Sequence, residues 1–455
     1  MSTTPAETVF HAAHAWLGGE RVADDVELRV ADGRIAAVRP GVAAADGAVR
    51  LPGVTLPGLA NGHSHAFHRA LRGRTHRGSG TFWTWREDMY AVAARLTPDH
   101  YRALARAVYA EMALAGITCV GEFHYLHHGP DGRPYGDPNA FGEALIEAAA
   151  EAGIRITLLD ACYLAGGFGE GGRPAPLAGP QVRFGDGDAV AWAERVGALR
   201  PREHARIGAA IHSLRAVPVD QLATVVGWAG ERAAPLHVHL SEQRAENEAC
   251  RAAHGCTPTE LLDAHGALGP RCCAVHATHL SDGDVGRLGG SATCVCMCPT
   301  TERDLADGIG PAGALARAGS PLALGSDSNA IVDPFEEARG LELDERLATE
   351  RRGHWSSAAL LRAATVDGHA ALGWPEAGTL SVGAPADFVT VGLDSVRLAG
   401  TRPQTALESL VFAAAAADVR EVVVGGRRIV SGGRHLLVAD VAGALDDAIG
   451  TLFDD

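Results

Sequence analysis

Lysine is missing from this sequence. All 40 basic residues are arginine, which removes every chemistry that runs through a lysine amine: Schiff-base and pyridoxal enzymes, P-loop NTPases and ordinary kinases. Aromatic residues make up only 5% of the chain. The longest apolar run, Leu410 to Ala417, is far short of the roughly 20 residues that span a bilayer. No basic residue precedes Arg21, and no apolar stretch there has signal-peptide length. Basic residues are also outnumbered, 40 against 55 acidic, leaving a formal charge of −15. That balance predicts neither nucleic acid nor a membrane as partner. The nine cysteines lack a secretory context, so the sequence reads as a cytoplasmic protein with reduced thiols. Cys294, Cys296 and Cys298 alternate, which on a strand gives one face of small buried hydrophobes. That spacing is a poor chelate for a soft metal.

What is present is a chain of 455 residues, 47% hydrophobic, ample for a core without disulfides. One α/β barrel uses roughly 250 residues and leaves room for a satellite domain. Residues 8–55 read as short strands with glycine turns, and the style returns in ADFVTVGL, REVVVGGRRIV and HLLV. VADGRIAAV and VVVGGRRIVSGG have hairpin character. The two β-rich ends predict one small sheet, or sandwich, assembled from both termini.

The middle alternates short apolar strands with Ala/Leu-rich helices, the pattern of a parallel sheet. Eight strand candidates can be read: VTLPGLANGHSH, ITCVGEFHY, IRITLLDACY, RIGAAIHSL, PLHVHLSEQ, CCAVHATHL, ATCVCMC and PLALGSDS. The fold class expected is therefore α/β, a (β/α)8 TIM-like barrel over 56–383. Segments 1–55 and 384–455 are expected to form the small β domain, the second carrying a C-terminal tail. Two long loops, His127 to Asn139 and Ala165 to Asp188, are expected to cover the active face.

Polar residues gather at the C-terminal ends of these strands. His63 and His65 end the first, and Glu122, His124 and Tyr125 the second. His212 and Arg215 follow the fourth, His237, His239 and Glu242 the fifth, His276 and His279 the sixth, and Asp327 ends the eighth. The carboxyl edge of barrel strands is where catalytic groups converge. His63 and His65 share a strand face and can chelate one cation. With His239 and Asp327 they make a set of three imidazoles and one carboxylate suited to zinc. His237, two positions deeper than His239, reads as an interior residue, and His124, His127 and His128 as loop structure. Ser326 and Ser328 lack the G-x-S-x-G elbow of a nucleophile.

The order HSH, HVHLSEQ, VHATHL, GSDS resembles the amidohydrolase superfamily, in particular its deaminase branch. The resemblance covers almost the whole chain, from the PG-x4-HSH region to GTLSVGAPADFVTVG. Its finer motifs include LPGLANGHSHAFHRALRG, FWTWREDMY, EFHYLHH, IHSLRAV, CPTTERDLADGIG and GSDSNAIVDPFEE. It implies hydrolytic deamination of N-formimino-L-glutamate to N-formyl-L-glutamate and ammonia, with one zinc, or another divalent ion, per chain. It also implies roles. His63, His65, His239 and Asp327 would hold the metal, and Glu242 would carry protons. His276, with Asp327, would serve the attacking hydroxide, and it is preferred over His279. Arg86, Tyr125, His212 and Arg215 would grip a small dicarboxylate. His68 stands where the branch pattern has Gln, and Asn329 after GSDS is a second departure. A homodimer is compatible with the resemblance.

Two rival readings stay open here. A related deaminase could act on a nucleobase, guanidine-like or other amidine substrate, and it would need aromatic stacking rather than an arginine pair. A non-catalytic assembly protein on the same barrel would be expected to have lost ligands that this chain retains.

Overall fold

The computed structural model describes residues 7–76 and 80–453. Four strands open the chain: β1 (Thr8–Ala15), β2 (Ala23–Ala31), β3 (Arg34–Arg39) and β4 (Val49–Pro57). The next eight are β5 (Leu59–Ser64), β6 (Ile117–His124), β7 (Arg155–Cys162), β8 (Ala205–Ile211), β9 (Leu236–Leu240), β10 (Cys272–His276), β11 (Cys294–Met297) and β12 (Leu322–Leu324). They lie side by side in sequence order, every pair parallel. Each of the eight strands expected from the sequence is found. Nearly every residue in them is buried, as in a sheet covered on both faces.

The barrel closes at its catalytic edge. The His65 amide donates to Asp327 O and the Asp327 amide to His63 O, both at 3.0 Å, so the first and last strands meet at residues 63–65 and 327. Closure itself thus brings two histidines and an aspartate from the first and last barrel strands into one place.

The last four strands, β13 (Phe388–Val391), β14 (Val419–Val424), β15 (Arg427–Ser431) and β16 (Arg434–His435), join the first four in a second sheet. Its order is β16-β15-β14-β13-β4-β1-β2-β3, with only β1 and β4 parallel. This is the sheet expected from both termini, with its own apolar cluster around Phe10, Leu28, Ile35 and Phe388. The C-terminal segment also supplies two helices, Ala406–Ala413 and Val441–Phe453. They pack on barrel helices Pro334–Thr349 and Pro98–Leu114.

One expected strand needs correction. VTLPGLANGHSH is not continuous: β4 ends at Pro57 in the outer sheet and β5 begins at Leu59 in the barrel. Gly58 forms the joint because the chain passes close to β6; a Cβ there would lie 2.2 Å from Thr118 Oγ1.

Cys294, Cys296 and Cys298 are buried with Cys273, Val275 and Ala323; burial pushes the Cys296 and Cys298 thiols up, and a hydrogen bond with Cys273, then burial, does the same for Cys294. They are core residues, as the sequence suggests. No helix among the described residues is long and apolar enough to cross a membrane.

Arg195 organises the loops beside β7. Its guanidinium meets Asp160 Oδ1 at 2.8 Å and Asp186 Oδ1 at 2.7 Å, and Asn139 Oδ1 at 3.2 Å. His124 and His127 lie against the same Asp160, whose carboxylate is already taken by Arg195, so these histidines are structural. Arg195→Met should leave two buried carboxylates uncompensated, and about 3–5 kcal/mol of unfolding free energy should be lost. Urea denaturation of the variant measures it.

Candidate active site

His63 lies at the end of β5 and His65 just after it, His239 sits in β9, and Asp327 follows β12. All four are buried. His63 Nε2 lies 3.2 Å from His65 Nε2, 3.1 Å from His239 Nε2 and 3.2 Å from Asp327 Oδ1. His65 Nε2 lies 3.4 Å from both His239 Nε2 and Asp327 Oδ1. Atoms so spaced can share one cation at about 2.0–2.2 Å, the length of zinc bonds to imidazole and carboxylate.

The tautomers fit this reading. His65 Nδ1 is 2.8 Å from Phe123 O and His239 Nδ1 is 2.9 Å from His212 O. Each Nδ1–H therefore donates to a carbonyl, and the Nε2 lone pairs point at one another. Two converging lone pairs, with His63 Nε2 and a carboxylate crowded against them, make a site that a cation would satisfy. Burial holds His63 down to about 3 and also lowers His65 and His239, which favours the neutral imidazoles that metal binding requires. Burial alone would raise Asp327, but His63 first, then His276 and His65, hold it below the usual carboxylate range. The residues present fit a divalent ion.

The backbone here is strained. His276 and Asp327 have φ of 68° and 42°, the left-handed region that non-glycine residues seldom enter, at a cost of about 1–3 kcal/mol each. Asn329, at φ 54°, clamps the arrangement: its Nδ2 donates to His65 O at 3.0 Å and Ser64 Oγ at 3.2 Å. Ser326 Oγ donates to Asn329 Oδ1 at 2.7 Å and receives Asn61 Nδ2 at 2.7 Å. Ser328 faces Thr301. Both serines are thus structural.

Glu242 follows His239 by three residues and is buried. Burial lifts its carboxyl to about 7, against the lowering pull of His276 and Arg215. His276 Nε2 is 3.8 Å from both Glu242 Oε1 and Asp327 Oδ2, and its Nδ1 is 3.4 Å from Glu302 Oε1. Burial opposes a charge on His276, but Glu242, Glu302 and Asp327 together raise it to about 10. The imidazolium therefore stands between the Glu242 and Asp327 carboxyl groups. His279 stays out of this group and lines a separate polar cavity. His237 is interior, its Nε2 3.0 Å from Ala371 O.

The pocket in front of these groups is lined by the remaining expected residues, His68, Arg86, Tyr125, His212 and Arg215. The helix Phe82–Arg95 forms one wall and presents Trp85, Arg86, Met89 and Tyr90 to it. Arg86 stacks over Trp83 at 4.6 Å and still reaches the pocket. His68 Nε2 meets the Tyr125 hydroxyl at 2.9 Å. Both Arg86 and Arg215 have a buried Nε with no hydrogen-bond partner.

Of the two long loops, only Ala165 to Asp188 reaches the pocket, through Phe184. Its Gln181 Nε2 ties Tyr90 of the wall helix to Tyr163, at 3.1 and 3.0 Å. The loop from His127 to Asn139 contributes no lining residue. It is held instead by the Arg183 carbonyl, which accepts from the His127 and His128 amides.

Sequence reasoning passed over Glu302, Glu246 and Asp307. Glu302 anchors both His276 and the Cys298 amide. Asp307 accepts from Gln243 and lies within 4.8 Å of Glu242 and His276. The signal was available in CPTTERDLADGIG, where acidic residues follow a barrel strand directly, but spacing gave them no role.

Residues 54–429 match the amidohydrolase family. The chain belongs to that family. It is 40% identical over 437 residues to the formimidoylglutamate deiminase of Pseudomonas aeruginosa, covering 93% of this chain and 95% of that one. Among solved structures, an amidohydrolase from Brucella melitensis superposes with TM-score 0.89 at 36% identity, covering 98% of this chain and 99% of the other. An adenosine deaminase from Xanthomonas campestris, solved with bound zinc, gives TM-score 0.82 at 25% identity with the same coverage. The family match and the Brucella melitensis structure bear out the barrel read from the sequence.

Proposed function

We propose that this amidohydrolase hydrolyses the formimino group of N-formimino-L-glutamate, giving N-formyl-L-glutamate and ammonia. The observation that carries the reading is the pairing of Arg86 and Arg215 with Glu242 and the His63–His65–His239–Asp327 quartet around one pocket. A substrate with two carboxylates and a C=N carbon answers both halves. The Pseudomonas aeruginosa relative has this activity by name.

His63, His65, His239 and Asp327 would hold a divalent ion, zinc by their chemistry, and such an ion supplies a hydroxide at neutral pH. Glu242, raised to about 7, can take a proton from water and deliver it to the departing nitrogen. His276, kept cationic by its three carboxylate neighbours, stabilises negative charge that develops beside it. Arg86 and Arg215 hold the carboxylates, since the guanidinium fork matches them. Tyr125, His212 and His68 complete the contact surface. The same reading takes 56–383 as the catalytic barrel and 1–55 with 384–455 as the accompanying sheet unit, in a cytoplasmic enzyme of histidine breakdown.

One metal per chain is expected. A bridging carboxylated lysine cannot form in a chain without lysine, and the quartet surrounds a single centre. Elemental analysis after gentle chelation of loosely held ions should find one equivalent; two would show that another side chain bridges.

Aromatic walls from Trp85, Tyr125, Tyr163 and Phe184, with the adenosine deaminase relative, favour a nucleobase-type substrate as the second reading. Ammonia release from formiminoglutamate, assayed beside guanine, adenosine and cytosine, separates the two. Turnover of a base without turnover of formiminoglutamate would replace the first reading with the second.

A further inference from the structure

Behind Arg215 lies a second cavity, lined by Arg86, Tyr163, His212, Arg215 and Glu246 and by the chain from Ala165 to Phe168. Four of its residues also border the catalytic pocket, but Glu246 does not. Glu246 stands in the first turn of the helix Arg244–His254, where the helix dipole favours a carboxylate. It is 1% exposed; burial raises its carboxyl while Arg215 first, then the nearby Ser241 and Glu242 amides, oppose the rise, and neither carboxylate oxygen makes a well-aligned hydrogen bond. Its nearest cation is the Nε of Arg215, 3.7 Å away, and that Nε is also without a hydrogen bond. A buried carboxylate is tolerated only when it is paired, and this one faces the guanidinium from outside the catalytic pocket. The separation is too long for a hydrogen bond, so the pair is electrostatic and leaves the donors of Arg215 uncommitted.

We propose that Glu246 is a positioning residue for substrate recognition: it holds the Arg215 guanidinium by its Nε edge and thereby keeps the Nη groups available for a ligand carboxylate. The inference rests on the reading of Arg215 as a carboxylate contact. A tight, bidentate Glu246–Arg215 bridge would occupy the donors that the substrate needs. Without Glu246, Arg215 would keep its place over the Phe82 ring but lose the one carboxylate within 4 Å of it among the described residues. The separation seen here avoids both.

The test is a double-mutant cycle on the metal-loaded enzyme, using R215M, E246Q, E246D and R215M/E246Q, with kcat, KM, metal content and melting temperature measured for each. E246Q should raise KM for formiminoglutamate about 10- to 100-fold while metal content stays unchanged and kcat moves little. E246D should recover part of the loss. On the R215M background, E246Q should leave KM where R215M alone puts it, because nothing remains to be positioned. In melting temperature, R215M should fall below R215M/E246Q, since the single change strands a buried carboxylate and the double does not. If E246Q folds poorly, this comparison still reads the pairing.

A wild-type KM in E246Q, or the same KM factor with and without Arg215, would overturn the inference. If the wild-type protein releases no ammonia from formiminoglutamate, the proposed substrate fails, while the melting comparison still decides whether Glu246 and Arg215 act as a pair.

Discussion

Glu242→Gln should keep its metal and lose about 10²- to 10⁴-fold in turnover. The amide fills nearly the same space, so the buried site need not rearrange. His63, His65, His239 and Asp327 hold their mutual distances without it. What the amide cannot do is exchange a proton near neutral pH, which the carboxyl can because burial lifts it to about 7. His276 should also lose one of the three carboxylates that hold it cationic, which pushes the loss toward the upper part of the range. The measurement is single-turnover ammonia release alongside elemental analysis. A variant that loses metal in step with activity would make Glu242 a ligand instead of a proton carrier.

The fold was legible because the barrel's strands are buried on both faces and so read as short apolar runs, six of the eight with a polar residue at or just beyond the C-terminal end. His63, His65, His239, His276 and Asp327 stood out for that reason: a charged or imidazole side chain at the end of an apolar strand has no place in a core. Strand continuity was less legible. VTLPGLANGHSH satisfies one strand pattern throughout, and only the close approach to Thr118 shows why Gly58 must divide it between two sheets.

The supporting groups could be seen but not assigned a role, for a different reason. Glu302, Glu246 and Asn329 act through partners distant in sequence, and local spacing carries no trace of which partner each will meet. Asn329 read as an unexplained departure after GSDS; in the folded chain it clasps the His65 carbonyl and the Ser64 hydroxyl. The left-handed backbone at His276 and Asp327 is equally hidden, because neither residue type announces it. Of the two long loops, the sequence could not say which would lie over the site. Gln181, linking Tyr90 and Tyr163, decides for the second.

Replacing both arginines tests the substrate most severely. Each charge-assisted contact is worth roughly 1.5–3 kcal/mol, or about 10- to 150-fold in kcat/KM. Arg86→Met/Arg215→Met should therefore lower kcat/KM for formiminoglutamate by about 10²- to 10⁴-fold, chiefly through KM. The two side chains line one pocket, so some departure from additivity is expected. Metal content should be unaffected, because neither arginine belongs to the His63–His65–His239–Asp327 group. The chain's net charge of −15 sharpens the effect: the overall field repels a dianion, and these two local cations must overcome it. A formimino compound lacking one carboxylate provides the control. Its kcat/KM should fall with only one of the two single substitutions, which identifies the arginine serving the carboxylate it retains. If both single variants turn over formiminoglutamate at wild-type efficiency, the dicarboxylate is not the substrate, and the aromatic walls of the pocket point to a planar base in its place.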